Sequence, residues 1–98
     1  MIRTGSFTID LAAKKATRDS QDVRLTPTEW HLLEVLTRSP GRLVGHDQLL
    51  REVWGPAYVD QTNCLRVYVA ALRRKLERNP GTPAHLLTEP GIGYRLQL

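Results

Sequence analysis

Thr62-Asn63-Cys64-Leu65-Arg66-Val67-Tyr68-Val69-Ala70-Ala71-Leu72-Arg73-Arg74-Lys75-Leu76-Glu77-Arg78 reads as one amphipathic helix with two unlike sides. At about 100° per residue, Leu65, Val69, Leu72 and Leu76 fall close together, an apolar stripe at i, i+4, i+7 and i+11 that belongs in a core. Roughly opposite lie Asn63, Val67, Ala70 and Arg74, flanked by Arg66 and Arg73 on one edge and by Arg78 on the other. That side meets water or a ligand. The stretch holds Arg66, Arg73, Arg74, Lys75 and Arg78 against Glu77 alone, while the rest of the chain balances at nine charges of each sign. A net charge of +4 gathered on one helix is the footprint of a polyanion binder, and nucleic acid is the commonest polyanion. A basic helix that is merely solvated remains the alternative on charge alone. Ala70, small and central, would let the helix approach a surface closely, with Arg66, Arg73 and Arg74 in reach of phosphates or of the N7 and O6 edge of guanine. Helix propensity also accounts for an alanine there.

Working outward, 98 residues with 41% hydrophobic and 24% charged content suffice for one compact domain, residues 1–98, built on one core. No apolar run approaches the roughly 20 residues needed to span a membrane, and the N-terminus lacks a basic-then-apolar signal pattern. A cytoplasmic protein with no membrane partner is expected. The single cysteine, Cys64, cannot form an internal disulfide, and with His31, His46 and His85 scattered it cannot seed a zinc site. Neither metal nor cofactor is expected. Ser6, Ser20 and Ser39 lie in polar surroundings and no carboxylates pair for acid–base work, so the chain does not read as an enzyme.

Before the basic helix, Phe7, Ile9 and Leu11 alternate with polar residues, as do Val23 and Leu25 around Arg24, and Ala16 to Arg18 offers a third strand between them. Polar breaks at Ala13 to Lys15 and Asp19 to Asp22 make these a small antiparallel sheet. Thr26-Pro27-Thr28-Glu29 is a helix start with N-cap, tolerated proline and capping box; Trp30, Leu32, Leu33 and Leu36 give its apolar face until Ser39-Pro40-Gly41. A second helix runs from the N-cap Gly45 through Leu49, Leu50 and Val53 to Trp54-Gly55-Pro56. Asp60 and Gln61 then precede the basic helix, where negative charge suits the helix dipole. Beyond Asn79-Pro80-Gly81, Leu86 to Glu89 and Tyr94 to Leu98 flank Pro90-Gly91-Ile92-Gly93, a hairpin with a glycine-rich tip. The glycines there are turn chemistry, since no lysine or strand-to-helix setting makes them a phosphate loop. The fold class is thus α+β: an N-terminal antiparallel sheet, a three-helix core and a C-terminal β-hairpin, forming a winged helix-turn-helix.

Leu25-Thr26-Pro27-Thr28-Glu29-Trp30, Leu32-Leu33, Pro40-Gly41, Leu49-Leu50, Val53-Trp54-Gly55, Leu72-Arg73-Arg74-Lys75-Leu76-Glu77 and Gly91-Ile92-Gly93-Tyr94-Arg95, in this order and spacing, resemble the DNA-binding effector domain of OmpR/PhoB-type response regulators. The match covers nearly the whole chain, and Leu65-Arg66-Val67-Tyr68 with Glu89-Pro90 looks most like the potassium-responsive branch. The resemblance implies sequence-specific binding of double-stranded DNA as the output domain of a two-component system. The helix at about 62–78 would lie in the major groove and the wing at about 86–97 at the minor groove. It also implies an N-terminal receiver domain, a cognate sensor kinase, a monomer that dimerises on tandem half-sites, and RNA polymerase as a possible partner.

What the resemblance assigns to DNA is Asn63, Cys64, Arg66, Val67, Tyr68, Ala70, Ala71, Arg73 and Arg74 on the helix, Trp54 before it, and Gly93 and Arg95 on the wing. Besides Ala70, three of these carry a second reading: Trp54 as core filling, Tyr68 as packing and Arg95 as half of a structural ion pair. Pro56, Ala57, Tyr58 and Val59 stand where relatives touch polymerase, or form an ordinary connector. Ala70, Ala71 and Pro90 replace arginines that some members carry, which shifts base reading toward Asn63 and Arg66. A protein-interaction module docking on polymerase or a partner subunit is the alternative function.

Overall fold

The computed structural model describes residues 2–5, 7–38 and 40–97. Alternating apolar residues at the N-terminus form a four-stranded antiparallel meander, β1 (Ile2–Arg3), β2 (Phe7–Asp10), β3 (Lys15–Arg18) and β4 (Gln21–Val23), in sequence order. Its register sets Ile2, Ile9, Ala16 and Val23 side by side across all four strands, which explains why the short strands hold together: one apolar row crosses the sheet. Asp19 and Ser20, with φ of 53° and 66°, close β3 onto β4 in two residues. That is the positive-φ geometry a tight hairpin needs, so the break is narrower than the four polar residues suggested. The strand expected around Arg24 accordingly ends at Val23. Leu25, expected in that strand, is buried in the connection instead, because the chain must already be extending into the helix cap at Thr26.

The expected capping box is present at the start of α1 (Pro27–Thr37): the Glu29 amide donates to Thr26 Oγ1 at 3.2 Å and the Thr26 amide to Glu29 Oε1 at 2.8 Å. Trp30, Leu32, Leu33, Val35 and Leu36 are buried. Of the residues expected to stop this helix, Ser39 lies outside the described residues, as do Ser6 and Leu98. Gly45 caps α2 (His46–Val53), and Trp54 and Gly55 end it, the latter at φ 113°. The chain then makes a short 3-10 turn, Pro56–Tyr58, and enters α3 (Thr62–Leu76). Leu65, Val69, Leu72 and Leu76 are all buried and join the sheet and the other helices in one core.

Two strands were not expected from the sequence, β1 at the N-terminus and one between the first two helices. β5 (Leu43–Gly45), three residues directly before α2, pairs with β7 (Gly93–Leu96), which pairs with β6 (Leu86–Glu89), so the C-terminal hairpin is part of a three-stranded sheet ordered β5-β7-β6. The close approach demands glycine. A Cβ on Gly93 would stand 2.0 Å from the Val44 carbonyl oxygen, a collision with backbone that cannot give. No helix among the described residues is long and apolar enough to cross a membrane.

Candidate nucleic-acid interface

The basic helix is shorter than its charge pattern implied. It ends at Leu76, and Glu77 turns to an extended backbone, φ −80° and ψ 142°, while its amide still donates to the Arg73 carbonyl at 2.9 Å. The reason is the Glu77 side chain. It is 1% exposed, and its carboxylate accepts the amides of Ala84 at 3.2 Å, His85 at 3.0 Å and Leu86 at 2.7 Å. Arg78 therefore lies beyond the helix and not on its edge. It donates to the Gly5 carbonyl at 2.9 Å and faces Asp19 at 3.8 Å.

The cations of this stretch divide into two groups. Lys75 reaches the buried Glu29 carboxylate at 2.6 Å. Burial would raise the Glu29 pKa, but hydrogen bonds from Lys75 and Thr26 and the lysine's charge together hold it below the ordinary glutamate range. Arg73 donates to the Leu86 carbonyl at 2.9 Å and to Thr88 Oγ1 at 2.5 Å, with its guanidinium 5.9 Å from the centre of the Tyr94 ring. Burial pushes its pKa below the ordinary arginine value, against the opposing pull of Tyr94 and Glu77. Arg73, which both its place on the helix and the resemblance put at DNA, is bound to the wing. Arg66 and Arg74 remain: both are exposed, and neither side chain has a partner among the described residues.

These two frame a defined surface. Asn63 is exposed, Val67 is 63% exposed, and Ala70, Ala71 and the free Cys64 are half-buried beside them. Trp54 and Tyr68 pack on each other with ring centres 5.2 Å apart and lie against the core, as the packing alternative for both anticipated. Between them Pro56, Ala57 and Tyr58 are exposed, Tyr58 by 45%, and Val59 is half-buried.

On the wing, Gly93, one of the expected contact residues, is buried between strands against the Val44 backbone. Arg95 turns to Glu89 on the neighbouring strand at 3.1 Å, with its Nε buried and unpaired, so the ion-pair reading describes it. The tip that faces outward is Pro90-Gly91-Ile92. The Ile92 amide donates to the Glu89 carbonyl at 3.0 Å, and the Ile92 carbonyl accepts from the His46 amide at 3.0 Å, which anchors the tip to the start of α2. Pro90 followed by Gly91 at φ 76° makes this a type II turn.

Two of the three histidines pack on aromatic rings: His46 lies 5.5 Å from the Tyr94 ring, and His85 meets Phe7 edge-on while Nδ1 sits 2.8 Å from the Gln97 carbonyl oxygen. Among the described residues no group of His, Cys, Asp and Glu is arranged to hold a metal ion.

Residues 20–96 match the family model described as transcriptional regulatory protein, C terminal. The chain is 60% identical over 97 residues to the transcriptional regulatory protein KdpE of Mycobacterium tuberculosis (strain ATCC 25618 / H37Rv), covering 99% of this chain and 43% of that protein. It is 44% identical over 98 residues to the KDP operon transcriptional regulatory protein KdpE of Escherichia coli (strain K12), covering all of this chain and 44% of that one. Among solved structures, the Klebsiella pneumoniae RstA DNA-binding domain in complex with the RstA box superposes with a TM-score of 0.83 at 27% identity, over 98% of this chain and 95% of that one. The chain thus spans less than half the length of the curated relatives it matches. With the winged helix-turn-helix and the family match in agreement, the chain belongs to the transcriptional regulatory protein C-terminal family, the non-enzymatic effector domains of OmpR/PhoB-type response regulators.

Proposed function

We propose that this domain binds double-stranded DNA sequence-specifically, with α3 in the major groove and the Pro90-Gly91-Ile92 tip at the neighbouring minor groove. The observation that carries the reading is the division of charge on and beside α3. Lys75, Arg73 and Arg78 are engaged within the fold, while Arg66 and Arg74 stay free beside the exposed Asn63 and Val67. Two exposed guanidinium groups free of partners among the described residues thus stand beside an exposed amide and an exposed valine on one side of α3. Asn63 and Arg66 have the donor geometry for bidentate contacts to adenine and guanine, Arg74 reaches phosphate, and Ala70 and Ala71 allow close approach. Tyr68 and Trp54 pack at the border of this surface, where ring edges stand near the backbone of a bound duplex. The RstA domain of the same fold is held in complex with its DNA box, which supports the same mode here.

The shorter length relative to both KdpE proteins supports reading residues 1–98 as the C-terminal effector part of a cytoplasmic two-component regulator of the KdpE type. Its partners are then an N-terminal receiver domain phosphorylated by a sensor kinase, a second copy on tandem half-sites, and RNA polymerase at Pro56, Ala57, Tyr58 and Val59. Salt dependence tests the DNA reading against that of a protein-docking module. Each neutralised phosphate contributes about 0.9 to the log–log slope, so Arg66, Arg74 and nearby amides predict a slope of several units. A flat response would leave only protein docking. Single-stranded DNA should bind worse, because few exposed aromatics are available for bases to stack on.

A further inference from the structure

Val67 is the most exposed of the large hydrophobic side chains left outside the core among the described residues, at 63%, and it sits in the middle of α3. Nothing in the fold uses it. It lies on the side opposite Leu65, Val69, Leu72 and Leu76, and a β-branched residue there costs helix propensity that alanine would not. Its neighbours on that side are Asn63 one turn before, Ala70 and Ala71 one turn after, and the unpaired Arg66 adjacent. This is an apolar knob with small residues behind it and a hydrogen-bonding fork beside it.

We infer that Val67 is a specificity-determining residue that packs on the C5-methyl group of a thymine. The inference rests on the DNA reading above and adds the base class to it. In the major groove each base pair presents donors and acceptors, and the thymine methyl is the one apolar group among them. A valine beside Asn63 and Arg66 has no other complementary surface in that groove: against cytosine it would bury the N4 donor without a partner. Ala70 and Ala71 let the helix settle deeply enough for the valine methyls to reach the base edge. The thymine belongs within a base pair or two of the guanine that Arg66 reads, since the two side chains leave adjacent residues.

The test begins with duplexes enriched by the wild-type domain from a random pool. In the preferred duplex each thymine in turn is replaced by deoxyuridine, which removes the methyl group and leaves every hydrogen-bonding group in place. One position, or two adjacent ones, should lose about fourfold in affinity, the equivalent of one buried methyl group. Val67→Ala, at an exposed helical site, keeps the fold, and it should bind the thymine and deoxyuridine duplexes equally. Placing 5-methylcytosine in an otherwise weak cytosine variant of that position should restore part of the wild-type affinity and none of that of Val67→Ala. Deoxyuridine tolerated at every position, or penalised equally in both proteins, overturns the inference while leaving sequence-specific binding intact. Failure of the wild type to enrich any duplex overturns the DNA reading and the inference together.

Discussion

The carboxylate of Glu77 accepts the amide of Leu86 at 2.7 Å, joining the residue that ends α3 to the first residue of β6. Arg73, one helical turn earlier, donates to the Leu86 carbonyl at 2.9 Å. Both peptide groups of one wing residue are therefore held by side chains of the basic stretch. Helix and wing are thereby tied together at both polar groups of Leu86.

Glu77→Gln should destabilise the domain by about 1–3 kcal/mol, because an amide presents one NH2 group to the backbone donors that the carboxylate accepts from Ala84, His85 and Leu86. Urea unfolding measures the loss. Wild-type stability in this variant would mean that the backbone amide left facing the NH2 group finds another acceptor.

A pH effect follows from Glu29. Its native pKa is lowered, so its contribution is fully present above the ordinary glutamate range, about 4.3, and is lost as pH falls through the lower native value. The stability of the wild type should fall more steeply below that range than the stability of Glu29→Gln, in which the capping side chain survives but the charge does not. Parallel curves in urea titrations at a series of pH values would remove Glu29 as a source of acid sensitivity.

What was legible in the sequence divides along the range of the interactions involved. The capping box at Thr26 and Glu29, the N-cap at Gly45 and the α3 stripe are local patterns, and each is found where its residues place it. β1 and β5 were not legible: Ile2-Arg3 is two residues long and is a strand only through its pairing with β2, and Leu43-Val44-Gly45 gains its strand character only from pairing with β7 half a chain away. The surroundings of Arg73 were not legible for the same reason. Helical geometry puts Arg73 on an outward edge, and only the wing folded back beside it shows that Thr88 and Leu86 occupy its guanidinium. One signal was present: Glu77 is the lone acid in a basic run, and a lone acid there invites the question of what it accepts.

Arg66→Ala and Arg74→Ala should separate base reading from phosphate contact. Arg66→Ala should cost about 1–3 kcal/mol on the preferred duplex and relax selection at one or two positions, whereas Arg74→Ala should weaken all duplexes alike and lower the salt slope by about one unit. Fluorescence anisotropy on preferred and scrambled duplexes is sufficient. Equal losses on both duplexes for Arg66→Ala would reassign it to the backbone.

On tandem half-sites, tethering two copies of the domain should raise affinity without new base contacts, because the second binding event becomes intramolecular. Moving the half-sites apart by about five base pairs turns them to opposite faces of a helix that repeats about every 10 base pairs, and should abolish the gain. A gain that survives the shift would argue against two copies bound in register.

The wing tip carries the last prediction. Pro90 and Gly91 form a type II turn closed by the Ile92 amide, and the tip is held to α2 through His46, so its position is fixed while its chemistry is apolar. A narrow A·T-rich minor groove concentrates negative potential and favours an inserted guanidinium. Proline offers none, and Arg95 is engaged with Glu89 on the sheet. The wild-type wing should therefore add little base preference of its own. The first central position of a type II turn accepts most residues, so Pro90→Arg keeps the geometry and places a cation at the exposed tip. It should tighten binding selectively on duplexes whose flank beside the wing is A·T-rich. Comparing both proteins on two duplexes that differ only in that flank isolates the effect: an equal gain on both reduces it to generic added charge, and no gain on either means that the tip does not approach the groove.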